Sequence, residues 1–401
     1  MNNNPNQPRD YDAVLGGQTP PPVTGVVLGG IEGVKRRLAS PIVEARIAAL
    51  SEALKYGEAG LDLAIEALQD NSLQVQRSAF LILRERLNNK VRQALLDYDP
   101  WQFFTTLDNW KQKEFNPQSG IIDPVGTAYV VNVEQLKLLL QDSQASQVEA
   151  LICQMLDNKW RYEFSPEYKS FADLLFDAHK QLTNLKALFV GDIEEHEYRK
   201  SRLGLGNFSL IGEDYPNLEV LQVRGFCGDT KLTSLQHDKL KTLIVETADI
   251  SDQNIAHICA SDLPALEYFE LWMGRDYNQP PDAILDSLKP IIFDDSFPNL
   301  TYLGLRSSEY SDLLAEALVQ SPVIEHLAVL DLSMGNLTDE GAEALLNCSA
   351  INQLHTLNIT NNCVSSETIK QLYELGCWVI ADSQEDFYER GGASRYYALY
   401  E

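Results

Sequence analysis

The feature that most narrows the fold of this chain is a pattern, L-x-x-L-x-L, that returns along its C-terminal two-thirds. The clearest copies are Leu300/Leu303/Leu305, Leu327/Leu330/Leu332 and Leu354/Leu357/Ile359. Leu218/Leu221/Val223, Leu240/Leu243/Val245 and Leu266/Phe269/Leu271 follow it with substitutions, and Leu185/Leu188/Val190 and Val148/Leu151/Cys153 are weaker early members. The first positions fall at 148, 185, 218, 240, 266, 300, 327 and 354. Their mean spacing of about 29 residues belongs to proteins built by stacking one supersecondary unit many times. The uneven intervals mark insertions, chiefly after the first, second and fifth copies.

Side chains two apart on a strand share a face, so the fourth and sixth positions define a short strand with one side turned inward. An apolar eleventh position closes the following turn, as Ile250, Leu337 and Val364 do. Asn362 holds the ninth position, where an amide can satisfy backbone groups of the turn. Gly335, Ser308 and Ala248 stand there in other copies, so the asparagine ladder is imperfect. Helix starts come next. Thr338-Asp339-Glu340 places a hydroxyl at the N-cap and carboxylates in the first turn, where they suit the helix dipole. Ser251-Asp252, Ser311-Asp312 and Ser365-Ser366-Glu367 repeat the device. Such strand–turn–helix units bury their faces only against neighbours and therefore stack. The expectation is an α/β solenoid of about eight repeats over residues 126–380, with a tail at 381–401.

The first part of the chain has a different period. Ile42, Ala45, Ala49 and Leu50 fall at helical spacing; Leu61, Ile65 and Leu68 continue after Gly57. Asp70-Asn71-Ser72 is a capped turn before Val75, Ala79, Ile82, Leu83 and Leu87. Residues 41–96 are thus expected to be an all-α module of helical hairpins, with Pro41 tolerated at a first helical turn. Ahead of it, residues 1–40 are read as an extended Pro/Gly-rich segment, including Pro20-Pro21-Pro22. Residues 97–125 carry Trp101, Phe103, Phe104, Trp110 and Phe115 and are read as an aromatic connection capping the array.

A content of 44% hydrophobic and 22% charged residues is that of a folded chain, not a disordered one. No apolar run reaches the roughly 18 residues of a membrane span. Residues 1–12 are polar with no secretory signal pattern, which predicts a cytoplasmic protein. The net charge of −26 is unevenly divided: residues 1–125 hold 13 Lys/Arg against 15 Asp/Glu, residues 126–401 hold 19 against 43. So negative an array repels phosphate backbones and argues against nucleic acid; it favours a partner of basic surface. The six cysteines are scattered among apolar positions without a C-x-x-C pair, as expected of buried reduced thiols.

Catalytic and cofactor motifs are incomplete. Leu28-Gly29-Gly30-Ile31-Glu32-Gly33-Val34-Lys35 lacks the phosphate-loop spacing, and Arg36 stands where a hydroxyl is needed. Gly204-Leu205-Gly206 is not followed by its third glycine. Glu194-Glu195-His196-Glu197 lacks the second histidine of a zinc-protease helix, and the six histidines show no ligand spacing. The expectation is no catalytic residue, no metal and no cofactor.

Residues from about 148 onward resemble a bacterial leucine-rich-repeat family with ribonuclease-inhibitor-like repeats. The matching phrases are Phe189-Val190-Gly191-Asp192-Ile193, Leu263-Pro264-Ala265-Leu266-Glu267, Phe269-Glu270-Leu271-Trp272-Met273-Gly274 and Leu330-Asp331-Leu332-Ser333-Met334-Gly335; Arg395-Tyr396-Tyr397-Ala398 resembles that family's tail. Residues 11–95 are similar to the HEAT-like modules of cyanobacterial proteins. These resemblances imply a leucine-rich-repeat horseshoe behind a HEAT-like module, a cyanobacterial source and an interaction role without established catalysis. In this repeat the third, fifth, seventh and eighth positions project from the concave face. Arg224, Glu246, Tyr268, Glu270, Trp272, Tyr302, Arg306 and Asp331 are accordingly the expected partner-binding residues, rich in the Trp, Tyr and Arg that dominate binding energies. The alternative is that the insertion at 274–299 folds over this patch. The favoured function is a protein-binding scaffold or adaptor. A bilin-lyase or chaperone activity, suggested by HEAT-like modules in tetrapyrrole enzymes, and a purely structural spacer are the competing readings; oligomeric state is open.

Overall fold

The computed structural model describes residues 30–84, 89–98, 100–154, 169–192, 208–225, 231–247, 250–274, 280–294 and 296–384. Its contacts divide the chain into two units, Met1–Phe103 and Phe104–Glu401. The division falls inside the aromatic stretch 97–125.

The described part of the first unit is helical: α1 (Gly30–Leu38), α2 (Val43–Ala53), α3 (Gly57–Glu66), α4 (Leu73–Arg84) and α5 (Asn89–Leu96). The glycine-rich string that imitates a phosphate loop is, from Gly30 on, the helix α1, so the end of the segment expected to be extended is helical; residues 1–29 lie outside the described residues. Its Glu32 lies in the first turn and Lys35, Arg36 and Arg37 in the last, the order the helix dipole favours. Helix α2 starts at Val43, after Pro41. Gly57 has φ of 61°, a backbone only glycine adopts without strain, and there the chain breaks between α2 with its 3-10 extension and α3. Val34, Ala49 and Ala53 pack together; Val75, Ala79, Phe80 and Leu83 are buried on α4. Arg46 donates to the Ser40 carbonyl at 2.6 Å and to Asp70 at 3.1 Å, tying the turn before α2 to the turn before α4. Phe80, Tyr98 and Phe103 form a ring cluster, with Tyr98 and Phe103 stacked at 5.4 Å.

The second unit is an α/β solenoid. Its described strands are β1 (Lys111–Glu114), β2 (Thr127–Val131), β3 (Ala150–Gln154), β4 (Ala187–Asp192), β5 (Val220–Arg224), β6 (Thr242–Glu246), β7 (Tyr268–Gly274), β8 (Tyr302–Ser308), β9 (Val329–Asp331), β10 (Thr356–Asn358) and β11 (Trp378–Ile380). They form one sheet in sequential order, every neighbouring pair parallel. The eight copies read from the sequence are β3 to β10. The structure adds β1, β2 and β11. Glycine replaces the opening leucine in two of these, Gly126 before β2 and Gly376 before β11, and β1 is Lys-Gln-Lys-Glu, exposed throughout. Charged side chains on such an edge strand discourage further pairing.

Between the strands run α6 (Val133–Leu139), α7 (Lys169–Ala178), α8 (Ser209–Asp214), α9 (Asp252–Cys259), α10 (Pro281–Ile292), α11 (Ser311–Leu318), α12 (Asp339–Leu346) and α13 (Ser366–Leu372). The fourth- and sixth-position residues of the strands join the apolar faces of these helices in one continuous core, from Phe115 to Ala381. Ser251, Thr338 and Ser365 accept the N-cap hydrogen bonds expected of them. Ser311 does not: it is already the first residue of α11 and donates to the Ser308 carbonyl. Its neighbour Asp312 reaches the next repeat instead, accepting from Thr338 N at 2.8 Å and Gly341 N at 3.1 Å. Asn362, fully buried, donates to the Leu332 and Ile359 carbonyls and accepts from Leu337 N, as its ninth position requires.

Candidate functional site on the outer face of the sheet

Because strand side chains alternate, the odd positions of every repeat form rows on the sheet face opposite the helices. The third-position row runs Ala128, Ala150, Ala187, Val220, Thr242, Tyr268, Tyr302. The fifth-position row includes Phe189, Gln222, Ile244, Glu270, Gly304 and Asp331, and the seventh includes Arg224, Glu246, Trp272 and Arg306. All eight expected binding residues therefore share this face, on strands β5 to β9.

They form a hydrogen-bonded ionic network. Glu270 is its hub: one carboxylate oxygen accepts from Arg306 Nη1 at 2.7 Å and Trp272 Nε1 at 2.5 Å, the other from Tyr268 at 2.7 Å and Tyr302 at 3.3 Å. Tyr302 also lies 3.0 Å from Asp331, which takes a further bond from Asn358 at 2.9 Å. Arg306 Nε donates to Ser333 at 2.9 Å, and its guanidinium sits 4.8 Å from the Trp272 ring centre, within cation–π range. Beside this group, Arg224 Nε and Gln222 Nε2 each donate to Glu246 at 2.6 Å. Gly304 makes room for the hub, since a Cβ there would stand 3.1 Å from Glu270 Cγ and from the Tyr302 ring.

Burial makes the charges interdependent. Desolvation pushes the Glu246 carboxyl up, against the attraction of Arg224. Desolvation also raises the Tyr268 and Tyr302 hydroxyls, with Glu270 adding to the effect. Burial alone would lower Arg306, but Glu270 and Asp331 outweigh it and hold the guanidinium above its usual range. The arrangement joins two guanidinium groups, Arg224 and Arg306, to three carboxylates, Glu246, Glu270 and Asp331. Among the described residues no group of His, Cys, Asp and Glu is placed to hold a metal ion.

The cover of this face comes from an unexpected direction. Tyr268 and Tyr302 stack at 3.8 Å with planes 6° apart, and Phe104 stands edge-on against both, at 5.3 and 5.8 Å. From Phe104 the chain crosses the strands. Thr242 Oγ1 donates to the Thr105 carbonyl at 2.5 Å. Leu107 and Trp110 pack with Ala128, Ala150, Ile152, Ala187, Phe189 and Val220 in an apolar cluster. The Trp110 indole donates to Glu149 at 3.1 Å, and the same carboxylate takes Gly126 N at 3.0 Å and Lys186 Nζ at 2.6 Å. Residues 104–110 are thus a strap lying across the outer face. Residues 275–279 and 295 of the insertion at 274–299 lie outside the described residues. Within its described residues, α10 buries Ile284, Leu288, Ile291 and Ile292 in the core on the helix side.

The solved structure of a protein from Bacteroides fragilis matches this chain with a TM-score of 0.55 at 23% identity, over 63% of this chain and 70% of that one. Identity that low makes it a likeness of fold alone. An internalin from Listeria monocytogenes (TM-score 0.24, 16% identity, 67% of this chain and 88% of that chain) and a leucine-rich-repeat protein from Leptospira interrogans (0.23, 13%, 75% and 82%) are fainter matches that carry no weight here. No protein-family model and no curated protein matches the sequence.

Of the eight expected residues, Glu246, Tyr268, Glu270, Tyr302 and Asp331 are buried, while Arg224, Trp272 and Arg306 stay partly exposed. The burial departs from the expectation of freely projecting side chains, and its causes are the strap and the mutual pairing of charges. Sequence reasoning gave Phe104 and Trp110 a role in capping the array, where the structure lays them on the sheet face; it did not single out Leu107 or Glu149, and left Gln222 out of the site. One signal was available: the third positions Ala128, Ala150 and Ala187 are small where β-branched or aromatic residues are usual, which leaves a trough that something must fill. Cys153 and Cys259 are fully buried and their thiols pushed up by desolvation; Cys227 lies outside the described residues, as do the Glu194–Glu197 and Gly204–Gly206 motifs and the 385–401 tail. No described helix is long and apolar enough to cross a membrane.

Proposed function

We propose that this protein is a non-catalytic protein-binding scaffold whose partner docks on the concave face of the repeat array, the sheet face opposite the helices, at Arg224, Trp272 and Arg306. The observation that carries the proposal is the state of Trp272. Its indole N–H is committed inward to Glu270 and its ring lies against the Arg306 guanidinium, yet the residue is partly exposed. A tryptophan held in one orientation and only partly covered is the kind of anchor that loses little entropy on binding. The acidity of residues 126–401 supports a partner of basic surface, steered by long-range attraction. The helical first unit is read as a HEAT-like module that adds a second docking element, in a cytoplasmic protein of cyanobacterial type.

The test is capture from native lysate by the wild-type chain and by Trp272→Ala, with quantitative mass spectrometry and thermal melts of both. A specific partner should be retained by the wild type and weakened by about 1–4 kcal/mol in the variant, with the melt little changed. Partners held equally by both would sink the proposal. Arg306→Ala is the wrong probe, because it would strip the buried Glu270 and Asp331 of their counter-charge and damage the fold itself.

A further inference from the structure

The strap at 104–110 is seated in the manner of a bound peptide. A 3-10 turn spans Leu107–Asn109, closed by a capping box between Thr106 and Asn109. Such a turn repeats every three residues, which brings Leu107 and Trp110 to one side and seats both on the floor of Ala128, Ala150, Ala187 and Val220. Phe104, three residues earlier, occupies the edge of the Tyr268–Tyr302 stack. The strap's internal hydrogen bonds are its own, Asn109 N to the Thr106 carbonyl and Trp110 N to the Leu107 carbonyl. Its attachments to the floor include the anchors, the Thr242–Thr105 bond and the Trp110–Glu149 bond. The strands beneath pair with one another, and their leucine core lies on the other face. Lifting the strap breaks no strand-to-strand hydrogen bond.

We infer that residues 104–110 are an intramolecular occupant of a peptide-binding trough, and that the trough takes, in competition with them, a partner segment of the same chemistry. That segment is a short turn with an aromatic residue, an aliphatic three residues on and a tryptophan three further. The inference rests on the proposal that this face receives proteins, and adds a second subsite, spanning β2 to β8, whose access the chain itself controls. A strap tethered at both ends competes at a high effective concentration, so an external segment gains entry when the strap's own anchors are weakened.

The probe is a dye-labelled synthetic peptide copying residues 104–114, added to the full chain. Fluorescence anisotropy should report weak binding to the wild type and at least about tenfold tighter binding to Leu107→Ala/Trp110→Ala. A peptide with alanine at the three anchors should bind neither. A variant that keeps the wild-type circular dichroism and binds no better overturns the inference. Should the variant fail to fold, hydrogen exchange on the wild type decides. Amides 105–110 should exchange faster than those of β2 to β5 and faster still under saturating peptide, whereas exchange only together with those strands overturns the trough. Trp272→Ala should leave peptide binding within about twofold, since that side chain lies outside the trough's anchors. Loss of peptide binding alone therefore sinks the trough, and loss of Trp272-dependent capture alone sinks the docking site.

Discussion

The two faces of the same sheet are buried for different reasons. On the helix side, the fourth and sixth positions are apolar in every strand from β3 to β10, and Leu303, Leu305, Leu330 and Leu332 are almost entirely out of water. There, burial follows from hydrophobicity and needs no specific partner. On the outer side, Glu246, Glu270 and Asp331 are as deeply buried, and each exists there only because named donors meet it. The first face tolerates any side chain of suitable volume; the second is a set of mutual obligations.

The sharpest way to break this comparison is to remove the hub. Glu270→Ala leaves Arg306 with a lost partner, and Trp272 Nε1 and the Tyr268 hydroxyl without their acceptor. Orphaning a buried ion pair costs about 3–5 kcal/mol, so chemical denaturation should show a loss of that size. A change under about 1 kcal/mol would mean that the outer face contributes charge without holding the fold. The control on the opposite face is Leu305→Ala, which removes apolar contact and leaves a cavity. It should cost about 2–5 kcal/mol while leaving the outer-face hydrogen bonds and any Trp272-dependent binding in place.

That difference also decides what was legible beforehand. Period and turn chemistry suffice for the helix face, because a leucine two positions from another leucine has one place to go. Eight strands, three helix caps and the role of Asn362 were readable for this reason. Strands β2 and β11 were hidden by Gly126 and Gly376 at the opening position, and β1 by its four polar residues. On the outer face, periodicity correctly brought Arg224, Glu246, Tyr268, Glu270, Trp272, Tyr302, Arg306 and Asp331 to one side, but which stay accessible depends on pairing across repeats and on a strap more than a hundred residues away in sequence. Phe104 on Tyr268 and Thr105 on Thr242 are long-range contacts that no local pattern encodes. The alanines of the trough were a readable absence, and only in hindsight of what fills it.

A smaller effect separates the strap's polar anchor from its apolar ones. Burial opposes the charge of Glu149, but the hydrogen bonds from Lys186, Gly126 and Trp110 together outweigh it and hold its carboxyl below the ordinary value of 4.5. A carboxyl depressed in the folded state stabilises the fold above its unfolded value, and that contribution is lost as pH falls through the folded one. Thermal stability should therefore decline below about pH 4.5. Glu149→Gln should cost about 1.5–3 kcal/mol at pH 7, the range for hydrogen bonds to a charged group, and should flatten the acid limb. An unchanged acid limb in Glu149→Gln would place the strap's hold in its apolar anchors alone.

The smallest expected effect is the most local. Thr242 sits in the third-position row between Val220 and Tyr268, where the trough of small residues gives way to the tyrosine stack. Its hydroxyl is fully buried and donates to the Thr105 carbonyl. Thr242→Val keeps the branched shape and the strand propensity but leaves that carbonyl without this donor. A single neutral hydrogen bond contributes about 0.5–1.5 kcal/mol, a loss small against the whole fold and visible chiefly where it acts. Amides 105–110 should exchange faster in Thr242→Val by about twofold to tenfold, the kinetic equivalent of that energy, with β7, β8 and the leucine core unchanged. Equal acceleration throughout the solenoid would mean that the strap and the sheet open as one body. The outer face would then be as much a part of the cooperative core as the leucines behind it.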